Sequence, residues 1–159
     1  MKIYFLRHGE AVDKTPGIED KDRPLTSFGA ATISNLARSL KGRASGFDMV
    51  FTSPLLRAAQ TADIMANLLG CKDRIERSKS LLVGTPISTL IGELKRRRGL
   101  KKILIVGHQP QIGMVVSFLT GARESDMSIS KGSCALVDTE DLKEASGKLV
   151  WIKGPDSLK

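Results

Sequence analysis

The sequence predicts an α/β fold, a three-layer α/β/α sandwich around a mostly parallel central sheet, and three observations predict it. Apolar runs such as Ile3-Tyr4-Phe5-Leu6 and Ile103-Leu104-Ile105-Val106 are continuous rather than alternating, the pattern of strands buried on both faces of a parallel sheet. Between such runs lie segments whose apolar residues recur at helical spacing. Strands and helices alternate with short connections, as in repeated βα units.

Each element follows from local signals. The first strand stops at Arg7-His8-Gly9. Glu10 to Pro24 reads as a polar loop, long enough to be functional rather than a simple connector. Thr26 has the character of an N-cap, and Ala30, Ile33, Ala37 and Leu40 line one face of a helix ending near Gly42. Asp48 to Thr52 is a second strand. Ser53-Pro54 opens a long helix, with proline in its first turn and Gly70 as its stop. A short strand falls near Ile75. Pro86 starts a helix carrying Ile87, Leu90, Ile91 and Leu94, which Lys95, Arg96, Arg97 and Arg98 close before Gly99. The strand Ile103–Val106 runs into Gly107-His108, and Pro110 opens another helix to about Thr120-Gly121. Ala122 to Lys131 is a polar loop. Ser133 to Asp138 and Lys148 to Ile152 are closing strands around a charged turn with Gly147.

At 159 residues the chain suits one domain spanning 1–159. The 25 Lys and Arg outnumber 17 Asp and Glu, so the net charge of +8 favours acidic partners such as phosphorylated molecules. Much of that excess lies at the Lys95–Lys102 helix end, where the helix dipole favours basic residues. An aromatic content of 4% argues against a stacking platform for single-stranded nucleic acid. Cys71 and Cys134 are too few for a disulfide framework. The apolar run after Met1-Lys2 is too short for a signal peptide, and no run approaches the ~20 residues that cross a bilayer. A cytoplasmic location away from membranes is expected.

The chain has only two histidines, His8 and His108, and each directly follows an apolar strand. In a parallel sheet both project from the carboxyl edge into one crevice. A neutral imidazole there can act as nucleophile, base or metal ligand. Arg7 can hold a phosphate or carboxylate bidentately. Arg57 falls in the first turn of a helix, where free N–H groups and the dipole favour an anion and disfavour a cation. A bound phosphate reverses that conflict. Two histidines offer no metal-ligand cluster.

Arg7-His8-Gly9, Ser53-Pro54-x-x-Arg57-Ala58-x-Gln60-Thr61 and Gly107-His108 resemble the three signatures of the histidine phosphatase superfamily, with its phosphoglycerate mutase-like fold. Arg23-Pro24-Leu25-Thr26-x-x-Gly29 matches as well. The small size, the lack of an inserted cap domain and the closing Trp151 to Leu158 segment resemble the SixA-type subgroup, the phosphohistidine phosphatases. The resemblance covers nearly the whole chain and implies a single histidine-phosphatase domain. It implies that His8 attacks phosphorus and forms a phosphohistidine intermediate that water hydrolyses. Arg7, Arg57 and His108 then surround the equatorial oxygens, with Arg23 reaching the same pocket. The N–H of Gln109, opening the helix after His108, becomes an added donor. The arginines and imidazoles supply the positive charge, so no metal or other cofactor is expected.

Many superfamily members protonate an alkoxide leaving group with a carboxylic acid from the segment after the second helix. Here Arg77 to Gly92 contains no Asp or Glu, and Ser78, Ser80, Thr85 and Ser88 are poor acids. Imidazole leaves more readily than an alkoxide. A protein-borne phosphohistidine and a phosphate ion are therefore the expected partners of a monomeric enzyme that binds no nucleic acid. Glu10, Glu19, Asp20 and Asp22 in the first loop keep a donor available. They leave a phosphatase of small monoesters as the alternative, beside a non-catalytic basic module for phosphoprotein or nucleic acid. Cys71 to Arg77 formally matches Cys-x5-Arg, the cysteine-phosphatase loop, but a helix precedes it and Asp73 and Glu76 repel phosphate.

Overall fold

A six-stranded sheet runs in the order β3-β2-β4-β1-β5-β6. Its strands are β1 (Lys2–Arg7), β2 (Met49–Thr52), β3 (Ile75–Arg77), β4 (Lys102–Gly107), β5 (Cys134–Thr139) and β6 (Gly147–Lys153). The helices are α1 (Ser27–Leu40), α2 (Leu56–Leu69), α3 (Ile87–Arg96) and α4 (Gln111–Thr120). The structure is a computed structural model that describes residues 1–42, 46–97 and 99–155. Arg98, expected at a helix end, and residues 156–158 of the closing segment lie outside the described residues.

The first four strands are parallel, and β5 and β6 add antiparallel to one side. Successive residues of each central strand feed opposite faces. Tyr4, Leu6, Val50, Leu104 and Val106 meet Ile33, Leu36, Ala58 and Met65 of α1 and α2. Ile3, Phe5, Phe51, Ile103 and Ile105 meet Leu90, Ile91, Ile112 and Val115 of α3 and α4. The continuous apolar runs are thus buried on both sides, and the three-layer α/β/α sandwich predicted from them is present.

Thr26 caps α1 by accepting from Gly29 N at 2.9 Å. Gly70 ends α2 in the left-handed conformation at φ 73°. One boundary and one buried face differ from expectation. Pro54 lies outside α2, because Ser53 Oγ accepts from Leu55 N at 3.3 Å and makes a turn before the helix starts at Leu56. On α1, Leu36 rather than Ala30 completes the buried face.

Two motif glycines allow the first loop to lie against α1. A Cβ on Gly29 would sit 2.1 Å from Glu10 O, and one on Gly9 would sit 2.9 Å from Ile33 Cγ1. The backbone there admits no side chain. Gly29→Ala is expected to cost about 2–3 kcal/mol or to displace the loop, since overpacked sites rarely relax freely. Gly92→Ala is the control: its Cβ meets nothing nearer than Arg96 Nη1 at 3.8 Å. Inside α3 it should stabilise by about 0.5–1 kcal/mol. Urea midpoints of the two variants check both signs.

Candidate active site

The register of β1 on β4 sets the site. Arg7 lies opposite Gly107, and His8 N donates to Gly107 O at 3.1 Å. His8 and His108 therefore leave adjacent strands side by side, with ring centroids 5.0 Å apart. The chain leaving β1 continues into α1 on one face of the sheet, and that leaving β4 continues into α4 on the other. A crevice opens between strand ends whose connections diverge in this way. β2 contributes Ser53, whose N donates to Val106 O at 3.0 Å and whose Oγ lies 2.8 Å from His108 Nε2.

The protonation of His8 follows from its partner. Nδ1 is 2.7 Å from the carbonyl oxygen of Gly9, which can only accept, so Nδ1 carries the hydrogen and Nε2 the lone pair. Burial lowers the His8 pKa to about 4, assisted by the charges of Arg57, Arg7 and Lys131 and opposed by the Gly9 carbonyl. His108, 3% exposed, is lowered to about 3, first by burial and then by His8, Arg57 and Arg7, with Asp20 opposing. Both rings are neutral at neutral pH. The expectation that the imidazoles share in supplying positive charge is corrected: desolvation outweighs every favourable neighbour, and the arginines carry that charge.

Arg7 donates through Nη1 to Ile129 O at 3.0 Å, and burial pulls its pKa below the ordinary value. Arg57 is 4% exposed at the start of α2, and the first loop reaches it. Its Nη1 donates to Asp20 O at 2.7 Å and its Nη2 to Asp20 Oδ2 at 3.2 Å. Among the described residues, the buried side-chain polar atoms without a partner are Arg7 Nε, Arg57 Nε, His108 Nδ1 and Gln111 Oε1. Three of these belong to the predicted site. Unpaired polar groups gathered in one buried place mark a region organised for something other than stability.

Arg7, His8, Arg57 and His108 are thus brought together. Arg23 instead spends its hydrogen bonds on the first loop, from Nη1 to Val12 O at 2.8 Å and from Nε to Asp20 Oδ1 at 3.0 Å. Gln109 lies just before α4, which begins at Gln111, and Ile112 N donates to His108 O at 3.0 Å to close a helical turn over it. Its side chain braces the loop before β5, with Nε2 donating to Met127 O at 3.0 Å. Cys71 is buried in the core with its thiol pushed up by burial, which removes it as a nucleophile.

Several contributors escaped the sequence reading. Gln60 Oε1 accepts from Leu25 N at 2.8 Å, and Thr61 Oγ1 accepts from Gly9 N at 3.1 Å, so these motif residues tie α2 to the loop after β1. Ser53 fixes His108. Glu93 stands one residue beyond the carboxylate-free window. Its Oε2 accepts from Ser78 Oγ at 2.5 Å and Ser80 Oγ at 2.6 Å at the end of β3. Among the described residues, no cluster of His, Cys, Asp or Glu is placed to hold a metal ion, and no helix is long and apolar enough to cross a membrane.

Fold and site together define a strand-end anion site in which a neutral imidazole is the nucleophile on offer. The family model for the histidine phosphatase superfamily (branch 1) matches residues 3–81. An uncharacterised protein of Picosynechococcus sp. is 37% identical over 116 residues, covering 71% of this chain and 69% of its own length. Phosphohistidine phosphatase SixA of Escherichia coli (strain K12) is 26% identical over 100% of this chain and 97% of its own. The solved structure of the protein histidine phosphatase SixA complexed with tungstate superposes with a TM-score of 0.89 at 25% identity, covering 100% of both chains. The chain belongs to the histidine phosphatase superfamily.

The depressed histidine pKa values have a signed consequence. Unfolded, each ring takes up a proton near pH 6.5; folded, His8 resists until about pH 4 and His108 until about pH 3. The unfolded state binds more protons in that window, so the stability these rings contribute is full above pH 6.5 and lost as the pH falls to about 4 for His8 and about 3 for His108. Urea midpoints should drop across that interval, and less so in His108→Gln. Two-dimensional NMR of the rings should show both neutral at pH 5.5. A ring titrating near 6.5 would contradict this electrostatic picture.

Proposed function

We propose that this protein removes the phosphoryl group from phosphohistidine borne on another protein, through a covalent intermediate on His8. The carrying observation is the His8 Nδ1–Gly9 O hydrogen bond, which directs the Nε2 lone pair outward in a site flanked by Arg7 and Arg57. Nε2 attacks phosphorus as the P–N bond of the substrate breaks, and the substrate ring, protonated on its other nitrogen, departs as neutral imidazole. Water then displaces the phosphoryl group as inorganic phosphate and restores His8. Splitting one displacement into two lowers each barrier. Arg7 and Arg57 stabilise charge on the equatorial oxygens, the dominant contribution in phosphoryl transfer. His108, held by Ser53, completes the ring of groups around them.

The first-loop carboxylates support the choice of leaving group. Burial pushes the Asp20 carboxyl up, but hydrogen bonds from Arg23 and Arg57 hold it below the usual range. Glu19 is lowered by its bond to Lys21. Glu10 Oε1 accepts from Thr26 Oγ1 at 2.9 Å, and Asp22 faces Lys21 at 3.8 Å. Asp20 and Glu19, held ionised, are poor donors to an alkoxide, whereas a phosphohistidine ring protonated from solvent on its other nitrogen leaves as neutral imidazole without that help. A second reading, a phosphatase of small monoesters, rests on Glu93, whose carboxyl accepts from two hydroxyls at the end of β3.

The test compares a phosphohistidine protein with an alkyl phosphate at equal enzyme concentration. Turnover of the first is expected to exceed that of the second by ~100-fold or more, the usual value of a positioned acid. His8→Ala should lower turnover by ~10³-fold or more with an unchanged melting curve. Comparable alkyl ester turnover that falls in Glu93→Gln would establish the second reading instead.

A further inference from the structure

Asp20 is the one carboxylate of the first loop joined to a side chain of the candidate site. Its residue holds Arg57 twice, through the backbone carbonyl at 2.7 Å and Oδ2 at 3.2 Å. Its other oxygen, Oδ1, accepts from Arg23 Nε at 3.0 Å and lies 2.9 Å from Arg23 Nη2. Arg23 is anchored in turn on Val12 O at 2.8 Å, where the bridge between Ala11 and Leu25 pins the loop. A chain of contacts thus runs from Val12 through Arg23 and Asp20 to Arg57. Its last link, from Asp20 to Arg57, crosses 37 residues of sequence to reach the first turn of α2.

Arg57 needs such a hold. A cation in the first turn opposes the helix dipole, and its backbone supplies no partner there. The contacts to Asp20 occupy one edge of the guanidinium through its two terminal nitrogens, and Nε is left without a partner. A guanidinium has five donors in a rigid fork, so fixing one edge aims the rest.

We propose that Asp20, backed by Arg23, is a positioning residue that orients Arg57 towards the phosphoryl oxygens, rather than a proton donor. The inference rests on the phosphatase reading of the site. It also gives Arg23 a supporting place instead of direct contact with phosphate.

The test is a double-mutant cycle of Asp20→Ala and Arg57→Ala, read as kcat and KM on phosphoimidazole, with melting curves to verify folding. Asp20→Ala removes a negative charge near the anion, which strengthens ground-state attraction, and loosens Arg57, which weakens it. KM should therefore move less than about threefold while kcat falls on the order of tenfold. In the Arg57→Ala background the same change should have no further effect. Arg23→Ala should reproduce a smaller loss of kcat by the same route. A full loss persisting without Arg57 would overturn the proposal and make Asp20 a direct participant. A lower KM with undiminished kcat would overturn it too, making Asp20 a resident competitor. No turnover of phosphoimidazole by the wild type, or turnover that survives His8→Ala, would sink the functional reading itself, and this inference with it.

Discussion

The backbone hydrogen bond from His8 N to Gly107 O is the constraint on which the site depends. It extends the parallel pairing of β1 and β4 one residue beyond the strands, so two histidines 100 positions apart emerge as neighbours. A slip of one residue in that register would turn one ring into a helix layer and leave a buried polar group unpaired. The same register feeds Leu6 and Val106 to one core and Phe5 and Ile105 to the other. Core packing and site geometry are thus fixed by one set of hydrogen bonds. The burial of alternate side chains in two cores that stabilises the sheet also keeps the imidazoles adjacent.

Around that pair the structure opposes its own electrostatics. Two arginines and two rings converge on a buried place, and burial answers by holding the rings neutral. Neutrality is useful at His8, where the Gly9 carbonyl fixes the proton on Nδ1 and leaves Nε2 as a base and nucleophile. The unpartnered Arg7 Nε, Arg57 Nε and His108 Nδ1 show the same opposition. A fold built for stability alone would not collect them. An incoming oxyanion supplies the charge this arrangement lacks, which is the economy of a preorganised site: its dipoles and charges need not reorganise when the reaction begins.

Much of this was legible in the sequence because it sits at element ends. Strand ends expose Arg7-His8-Gly9 and Gly107-His108, Thr26 announces α1, and Gly70 closes α2, each through local chemistry. The three-layer sandwich followed from continuous apolar runs. What stayed hidden depends on pairing across distance. Asp20 reaches Arg57 from a loop without periodicity, so no spacing rule connects them. Glu93 lies on α3 just past the carboxylate-free window, and the helix carries it back to Ser78 and Ser80. The Gln109 side chain reaches Met127 O across 18 residues, a pairing that no helix signal announces. How far the histidines are lowered was equally out of reach, since it is set first by burial and not by neighbours in the chain.

The central claim is that Nε2 of His8 takes the phosphoryl group, and the linkage can be read directly. Enzyme quenched at alkaline pH during turnover of a phosphohistidine protein would be digested, its phosphopeptides located by tandem mass spectrometry and the P–N linkage assigned by ³¹P–¹⁵N correlation. The account predicts phosphate on Nε2 of His8. Phosphate on Nδ1 of His8, or on any other residue, would contradict it, because the Gly9 carbonyl would then be holding the wrong nitrogen.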